Sequence, residues 1–186
     1  MIRFKSVRYL AMTLLLCVAP LASSDQTNPR LDELFEQLQS SQDSLILVEV
    51  EAEIWEIWYD SGNEEIDALM AQGANSARVG NLSGAEEIYS QVIEQMPEFS
   101  EGWNRRATIR FYRNDYEGSL ADIEETLRLE PRHFGAIWGL GMILGWQRDY
   151  ERAILAFERL LELKPNAQDA RPRIEMLKQE MAKEAV

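Results

Sequence analysis

Residues 134–166 read FGAIWGLGMILGWQRDYERAILAFERLLELKPN, and their pattern decides the fold. Residues 134–147 are apolar at helical spacing, and Asp149 follows where it can cap a second helix. Apolar side chains then recur every three or four residues until Pro165, which ends the helix because proline lacks an N–H and clashes with the preceding turn. The stretch therefore predicts two helices joined by a short turn.

The same unit occurs three times along the chain. Three prolines are spaced 34 residues apart: Pro97, Pro131 and Pro165. When the preceding segments are aligned without a gap, small residues fall on small ones and large apolar residues on large ones. The small set is Gly73, Ala107 and Gly141, and the large set is Tyr89, Ile123 and Phe157. Such a fixed period indicates stacked supersecondary units, in which small residues let paired helices approach closely.

The third unit resembles a tetratricopeptide repeat, whose 34-residue signature combines an aromatic, a Leu-Gly-like pair, a Tyr, then Ala, Phe and Pro. That signature is present as Leu140-Gly141, Asp149-Tyr150, Ala153, Phe157 and Pro165. The second unit carries Trp103, Ala107, Ser119 and Pro131 at matching places. The resemblance implies an all-α, right-handed α-α superhelix of three helix pairs, at residues 66–99, 100–133 and 134–167.

Two flanking segments complete the predicted architecture. Residues 25–65 contain two amphipathic stretches, about 30–40 and 44–60, expected to pack on the first repeat as an N-terminal helical cap. Residues 168–186 predict a capping helix with Ile174, Leu177 and Met181 on one face. Such a helix would cover the inner face that a terminal repeat otherwise exposes.

Residues 1–24 have the layout of a secretory signal peptide, with three basic residues, an apolar run from Leu10 to Ala22, and small residues. A cut before Asp25 is expected, so the protein would be periplasmic or secreted. The apolar run is too short for the ~20 residues that span a bilayer. An uncleaved anchor, an organelle presequence and acylation at Cys17 are the alternatives. After cleavage, no stable membrane span is expected.

Composition excludes several classes of function. Removing residues 1–24 takes away three bases and no acid, leaving 32 acids against 16 bases. A chain of this charge repels phosphate, so nucleic acid is not an expected partner. The remaining chain has no Cys and a single His, His133, so neither a disulfide nor a Cys- or His-based metal site is expected. No cofactor is predicted. His133, in an inter-repeat loop, is expected to be solvated or to cap that loop.

In tetratricopeptide proteins the first helix of each pair lines a concave groove. The resemblance thus assigns a partner-binding surface to nine residues: Met70, Asn104, Arg105, Thr108, Phe111, Tyr112, Trp138, Met142 and Trp146. Concave apolar surfaces with a few polar groups are typical binding sites. The alternative is that Trp138 and Trp146 pack within the protein. The four glycines at 135, 139, 141 and 145 likewise serve either close helix packing or a ligand backbone.

Arg105, Arg106, Arg110 and Arg113 form a basic cluster. They either pair with nearby acids such as Glu86 and Asp122, or, in the case of Arg105 beside Asn104, receive a carboxylate of a bound peptide. Some tetratricopeptide proteins hold chaperone C-termini with a clamp of Lys, Asn and Arg. This chain has Met70, Ala74, Gly135 and Gly139 where that clamp needs polar side chains, so the clamp is not expected.

The sequence predicts a non-enzymatic interaction module that binds a peptide or helix of a partner protein, in the assembly or maturation of a bacterial envelope. No nucleophile with a plausible His partner and no phosphate-binding loop is present. The alternative is a self-associating structural subunit, a homo-oligomer whose contact surface is formed by Trp55, Trp58 and Tyr59.

Overall fold

The computed structural model describes residues 25–184, and these residues form a short 3₁₀ helix and nine α-helices without strands. The helices are α1 Arg30–Ser40, α2 Ser44–Tyr59, α3 Glu64–Arg78, α4 Leu82–Gln95, α5 Ser100–Tyr112, α6 Tyr116–Leu129, α7 Phe134–Trp146, α8 Tyr150–Leu163 and α9 Ala170–Glu184. From α3 to α9, each helix packs against its neighbours in chain order. The all-α stack of helix pairs is therefore confirmed. The predicted signal peptide lies outside the described residues.

Local chemistry sets the turn inside each pair. Asn81, Asp115 and Asp149 cap α4, α6 and α8 by accepting a hydrogen bond from a first-turn amide. The residue directly before each cap has a positive φ, of 80° at Gly80, 63° at Asn114 and 66° at Arg148. The three left-handed residues are again one repeat length apart. Each stops the first helix at the same place, so all three pairs share one turn geometry.

The small residue of each first helix receives the large residue of the second. A Cβ added at Gly73 would lie 2.6 Å from the Tyr89 ring, and one at Gly141 would lie 2.7 Å from the Phe157 ring. In the middle pair, Ala107 and Ile123 share one buried cluster. Added Cβ atoms at Gly135, Gly139 and Gly145 would also meet side chains of this chain within 3.2 Å. Close packing therefore accounts for these glycines.

We expect Gly141→Ala to destabilise the protein by about 1–2 kcal/mol, because overpacking of the Phe157 ring outweighs the helix propensity that alanine gains. Urea denaturation would measure the loss. Gly139→Ala is the matched control, since its Cβ would meet only the flexible end of Ile123 at 3.2 Å. Equal stability of the two variants would contradict this account of the helix contact.

The N-terminal pair lies elsewhere than the sequence suggested. The expectation that α1 and α2 pack on the first repeat is wrong, because their buried side chains join the core of α7, α8 and α9. Trp55 contacts Phe134 with ring centroids 5.0 Å apart, and Lys164 pairs with Glu51 at 2.5 Å. Since α5 and α7 line the inner face, and α2 contacts both, α2 crosses the concave side of the stack.

The two ends of the described chain are also packed. The side chain of Gln26 bonds to the carbonyl of Glu98 and accepts from the amide of Ser100 at 3.4 Å, so it supplies a cap that α5 lacks locally. At the other end, α9 packs on α8 and buries Ile174 and Leu177. Met181, which was expected on the same face, is exposed. Within residues 25–184, no helix is long and apolar enough to span a bilayer.

Candidate functional site

A cavity of about 310 Å³ opens on the concave side between α5 and α7. Its floor is formed by Ser119 and Ile123 of α6. The first helices supply the walls: Asn104, Ala107, Thr108, Phe111 and Tyr112 from α5, and Gly135, Ala136, Trp138, Gly139, Met142 and Ile143 from α7. No charged side chain lines it. A mostly apolar hollow with a few polar groups has the character of a ligand pocket.

The structure brings six of the nine predicted site residues into this cavity: Asn104, Thr108, Phe111, Tyr112, Trp138 and Met142. The other three lie outside its lining. Met70 packs against the core of the first repeat, beside the cluster of Ile66, Val92, Met96 and Phe99. Arg105 turns toward α2, and Trp146 lies beyond the end of the cavity. The predicted surface is therefore shorter than the sequence suggested.

The two indoles of α7 have different surroundings. Trp146 is 53% exposed and stacks on Phe111, with ring centroids 4.8 Å apart and planes at 17°. Trp138 is half-buried and makes an edge contact with Phe157 at 5.1 Å. Trp138 also borders two further hollows, one beside α2 and one beside α9. Both rings thus pack on this chain while leaving surface accessible, and Trp138 is the wall shared by the hollows.

Behind the cavity lies a buried polar network centred on Glu101. The carboxylate accepts from Asn104 Nδ2 at 2.8 Å, from Arg105 Nε at 2.6 Å, and lies 3.0 Å from His133 Nε2. His133 Nδ1 accepts from the amide of Ala136, so the ring carries its proton on Nε2 and donates to Glu101. His133 therefore caps α7, and the expectation that it is solvated is wrong, because it is fully buried.

The network keeps Glu101 ionised. Burial alone raises the pKa of the Glu101 carboxyl, but the hydrogen bond from His133, the charge of Arg105 and the amide of Asn104 outweigh it and hold the pKa below its ordinary value. Arg105 in turn bonds to the hydroxyl of Tyr59 on α2. The guanidinium expected to receive a partner's carboxylate is thus already paired with Glu101 and bonded to Tyr59.

The other arginines of the basic cluster pair with acids, which confirms that alternative. Arg106 makes a two-pronged contact with Asp122 at 2.8 and 2.9 Å. Arg110 bridges Glu86 at 2.9 Å and Asp122 at 3.0 Å. Arg113 also pairs with Glu86. These bonds tie α5 to α4 and α6, so the cluster holds three helices together.

Of the three aromatic residues of α2, Trp58 lies in the interior, Trp55 is half-buried and Tyr59 is 41% exposed. Trp58 is 1% exposed and stacks on His133, with centroids 4.3 Å apart and planes at 12°. Trp55 contacts Phe134 and lies beside Gly135, while Tyr59 receives Arg105. The contact surface expected of Trp55, Trp58 and Tyr59 is therefore wrong for Trp58, because α2 presents that ring to α7 instead of to solvent.

Sequence reasoning missed the pairing of Glu101 with His133. The two residues lie 32 positions apart, in adjacent repeats, and each alone resembles an ordinary polar residue near a helix start. One signal was available, because Glu101 occupies a groove-facing position of its repeat and His133 directly precedes the first helix of the next. The spacing of the aromatic residues in α2 does not predict that their rings cover this pair.

Comparison with known proteins identifies the family. No family model matches the chain. A TPR repeat-containing protein of Rhizobium etli is 34% identical over 160 residues, which cover 86% of this chain and 78% of that protein. The chain belongs to the tetratricopeptide repeat (TPR) family. Human tetratricopeptide repeat protein 36 is 35% identical over 74 residues, and this TPR chain covers 39% of its length.

Solved structures share the TPR fold. The first TPR domain of Spaghetti (RPAP3), bound to an HSP90 peptide, superposes with a TM-score of 0.61 at 21% identity, covering 63% of this chain and 93% of that one. The TPR2B domain of yeast Sti1, in complex with an Hsp70 peptide, gives a TM-score of 0.59 at 14% identity, with 63% and 99% covered. At these identities the likeness concerns the fold.

Proposed function

We propose that this protein is a non-enzymatic TPR interaction module that binds a segment of a partner protein in the cavity between α5 and α7. The observation that carries the proposal is the cavity itself, an accessible hollow of about 310 Å³ on the concave side, lined by six side chains predicted for this role. Its walls belong to two stacked helices, so the site is preformed and little ordering entropy is lost on binding.

The TPR neighbours support an interaction role, since two of them are solved with peptides of HSP90 and Hsp70. The site proposed here is shorter than a groove running along all three repeats. α2 covers the part of α7 nearest its start, where Trp55 contacts Gly135. A partner segment would therefore enter over the later turns of α5 and α7, against Phe111, Trp138 and Met142.

We also propose that the module acts in the bacterial envelope, as a periplasmic or secreted protein. The support is the signal-peptide layout of residues 1–24 and the bacterial origin of the Rhizobium relative. Cell fractionation with intact-mass measurement would test this. We expect a periplasmic chain that begins at Asp25, whereas a cytoplasmic chain retaining Met1 would refute the assignment.

A variant that fills the cavity tests the binding role. Thr108 is exposed and lines the cavity, so Thr108→Trp should fold normally and block it. We expect partners captured by the C-terminally tagged wild-type protein from its native host to fall at least tenfold with Thr108→Trp. Val79→Trp, at an exposed site on the α3–α4 turn, is the matched control. Equal capture by all three proteins would exclude this cavity as the binding site.

A further inference from the structure

We infer that the cavity between α5 and α7 receives a basic side chain, Lys or Arg, of the partner segment. This inference rests on the proposed function and specifies the chemistry of its ligand. It follows from three features of the cavity: the orientation of Asn104, the use of the hydroxyl donors around it, and the distribution of charge behind its walls.

The Asn104 amide has a fixed orientation. Its Nδ2 donates to Glu101 Oε2 at 2.8 Å, and an ionised carboxylate can only accept, so Nδ2 is the amide atom turned toward Glu101. The residue is 8% exposed, and its Oδ1 accepts no hydrogen bond from any residue in the range 25–184. The Oδ1 atom is also accessible to solvent. It is an unused acceptor held at the wall of the cavity.

Two of the three hydroxyls that line the cavity have also used their protons. Thr108 Oγ1 donates to the carbonyl of Asn104 at 3.0 Å, and Ser119 Oγ donates to the carbonyl of Ala107 at 2.8 Å. Their oxygens can still accept. The donors that remain among the lining side chains are all neutral: the second amide hydrogen of Asn104, the largely exposed hydroxyl of Tyr112 and the indole N–H of Trp138. A ligand group that donates therefore finds open acceptors at Asn104, Thr108 and Ser119.

Charge favours a cation over an anion. Glu101 lies behind Asn104 with its negative charge, and Arg105, which pairs with Glu101, lies outside the lining of the cavity. A ligand carboxylate would meet acceptors and no free cation, which is costly when the charge is desolvated. The cations on the far side of Trp138 also have acids beside them. Lys164 is paired with Glu51, and Arg173 lines the same hollow as Asp169.

The apolar walls suit the stem of such a side chain. Phe111, Trp138 and Met142 can cover its methylene groups while the charged head reaches Asn104 Oδ1. An indole face also attracts a cation. The acidic excess of the chain, 32 acids against 16 bases after residue 24, would steer a basic segment toward the protein. A basic residue thus satisfies shape, hydrogen bonding and charge together.

Selection from a random dodecapeptide phage library against the full chain tests the inference. We expect a consensus in which one position is Lys or Arg, enriched about tenfold over Asp or Glu. A consensus that is acidic or wholly apolar at every position would overturn the inference while leaving the binding role intact. Absence of any peptide dependent on an open cavity, judged with Thr108→Trp, would overturn both.

A double-mutant cycle then locates the basic residue. Asn104→Leu keeps the volume and removes the acceptor, while norleucine in the peptide keeps the stem and removes the charge. Each change should weaken binding about tenfold, as expected for a hydrogen bond to a charged group. The two together should cost little more than either alone. Additive losses would place the basic side chain elsewhere. Circular dichroism checks that Asn104→Leu is folded, and Thr108→Val supplies a second cavity variant.

Discussion

Replacing Glu101 with alanine is expected to lower the free energy of unfolding by about 3–5 kcal/mol, because removing one partner of a buried ion pair leaves the other uncompensated. Glu101 is fully buried and accepts from three donors, on Asn104, Arg105 and His133. The variant would leave all three without their acceptor. It would also loosen α2, since Arg105 bonds to Tyr59 and His133 stacks on Trp58.

Urea denaturation followed by far-ultraviolet circular dichroism would measure this loss. Glu94→Ala is the matched control, because Glu94 lies exposed on α4 and forms no ion pair with the residues of the described range. Its cost should stay below about 0.5 kcal/mol, as is usual for surface substitutions. A loss under 1 kcal/mol for Glu101→Ala would show that the network contributes little to stability.

The same carboxylate predicts a dependence on pH. Because the pKa of Glu101 is lower in the folded chain than its ordinary value of 4.5, its contribution is fully present above about pH 4.5 and is lost as the pH falls through the folded pKa. The stability difference between wild type and Glu101→Gln should therefore be largest near pH 7 and shrink steadily below pH 4.5. A difference that stays constant down to pH 3 would contradict the assignment.

Trp58→Ala is expected to cost about 3–5 kcal/mol, the range found when a large buried aromatic side chain is removed. The indole stacks on His133 and contacts Phe134 at 4.8 Å, so its loss opens a cavity between α2 and α7. Chemical denaturation gives the magnitude. Limited proteolysis gives the location, since cleavage should become faster in the turn at residues 60–63 that follows α2.

Trp58→Phe is the informative control. Trp58 Nε1 is a buried donor without an acceptor in the described part of the chain, so phenylalanine keeps an aromatic ring and removes no hydrogen bond. We expect this variant to lose less than about 2 kcal/mol, clearly less than Trp58→Ala. A Phe variant as unstable as the Ala variant would indicate that the indole nitrogen has a partner, such as a bound water.

The repeat could be predicted from the sequence because its information is local and recurs. Gly141 and Phe157 face each other within one unit, and the same spacing joins Gly73 to Tyr89. Turn residues such as Asp149 act on amides three positions away. Six residues of the candidate cavity followed from the resemblance to tetratricopeptide repeats, whose groove-facing positions carry over in the same register.

The position of α2 could not be predicted in this way. Its apolar spacing indicates a helix with a face to bury, but several repeats offer a surface that could cover that face. The choice depends on fit, with Trp55 against Gly135 and Tyr59 against Arg105, which are contacts between residues 80 and 46 positions apart. For the same reason the sequence suggested that Arg105 was available to a ligand, while the folded chain pairs it internally.

The crossing of the stack by α2 has a consequence for how the molecule is made. In an open solenoid each unit contacts only its neighbours, so folding can start anywhere and spread along the chain. Here the helices synthesised first find their partners among those synthesised later. Asp32 pairs with Arg132, and Glu51 pairs with Lys164, 113 residues later. During translation, Phe35 and Trp58 must therefore stay without their final partners until the third repeat has emerged. Until then the nascent protein carries unburied aromatic surface.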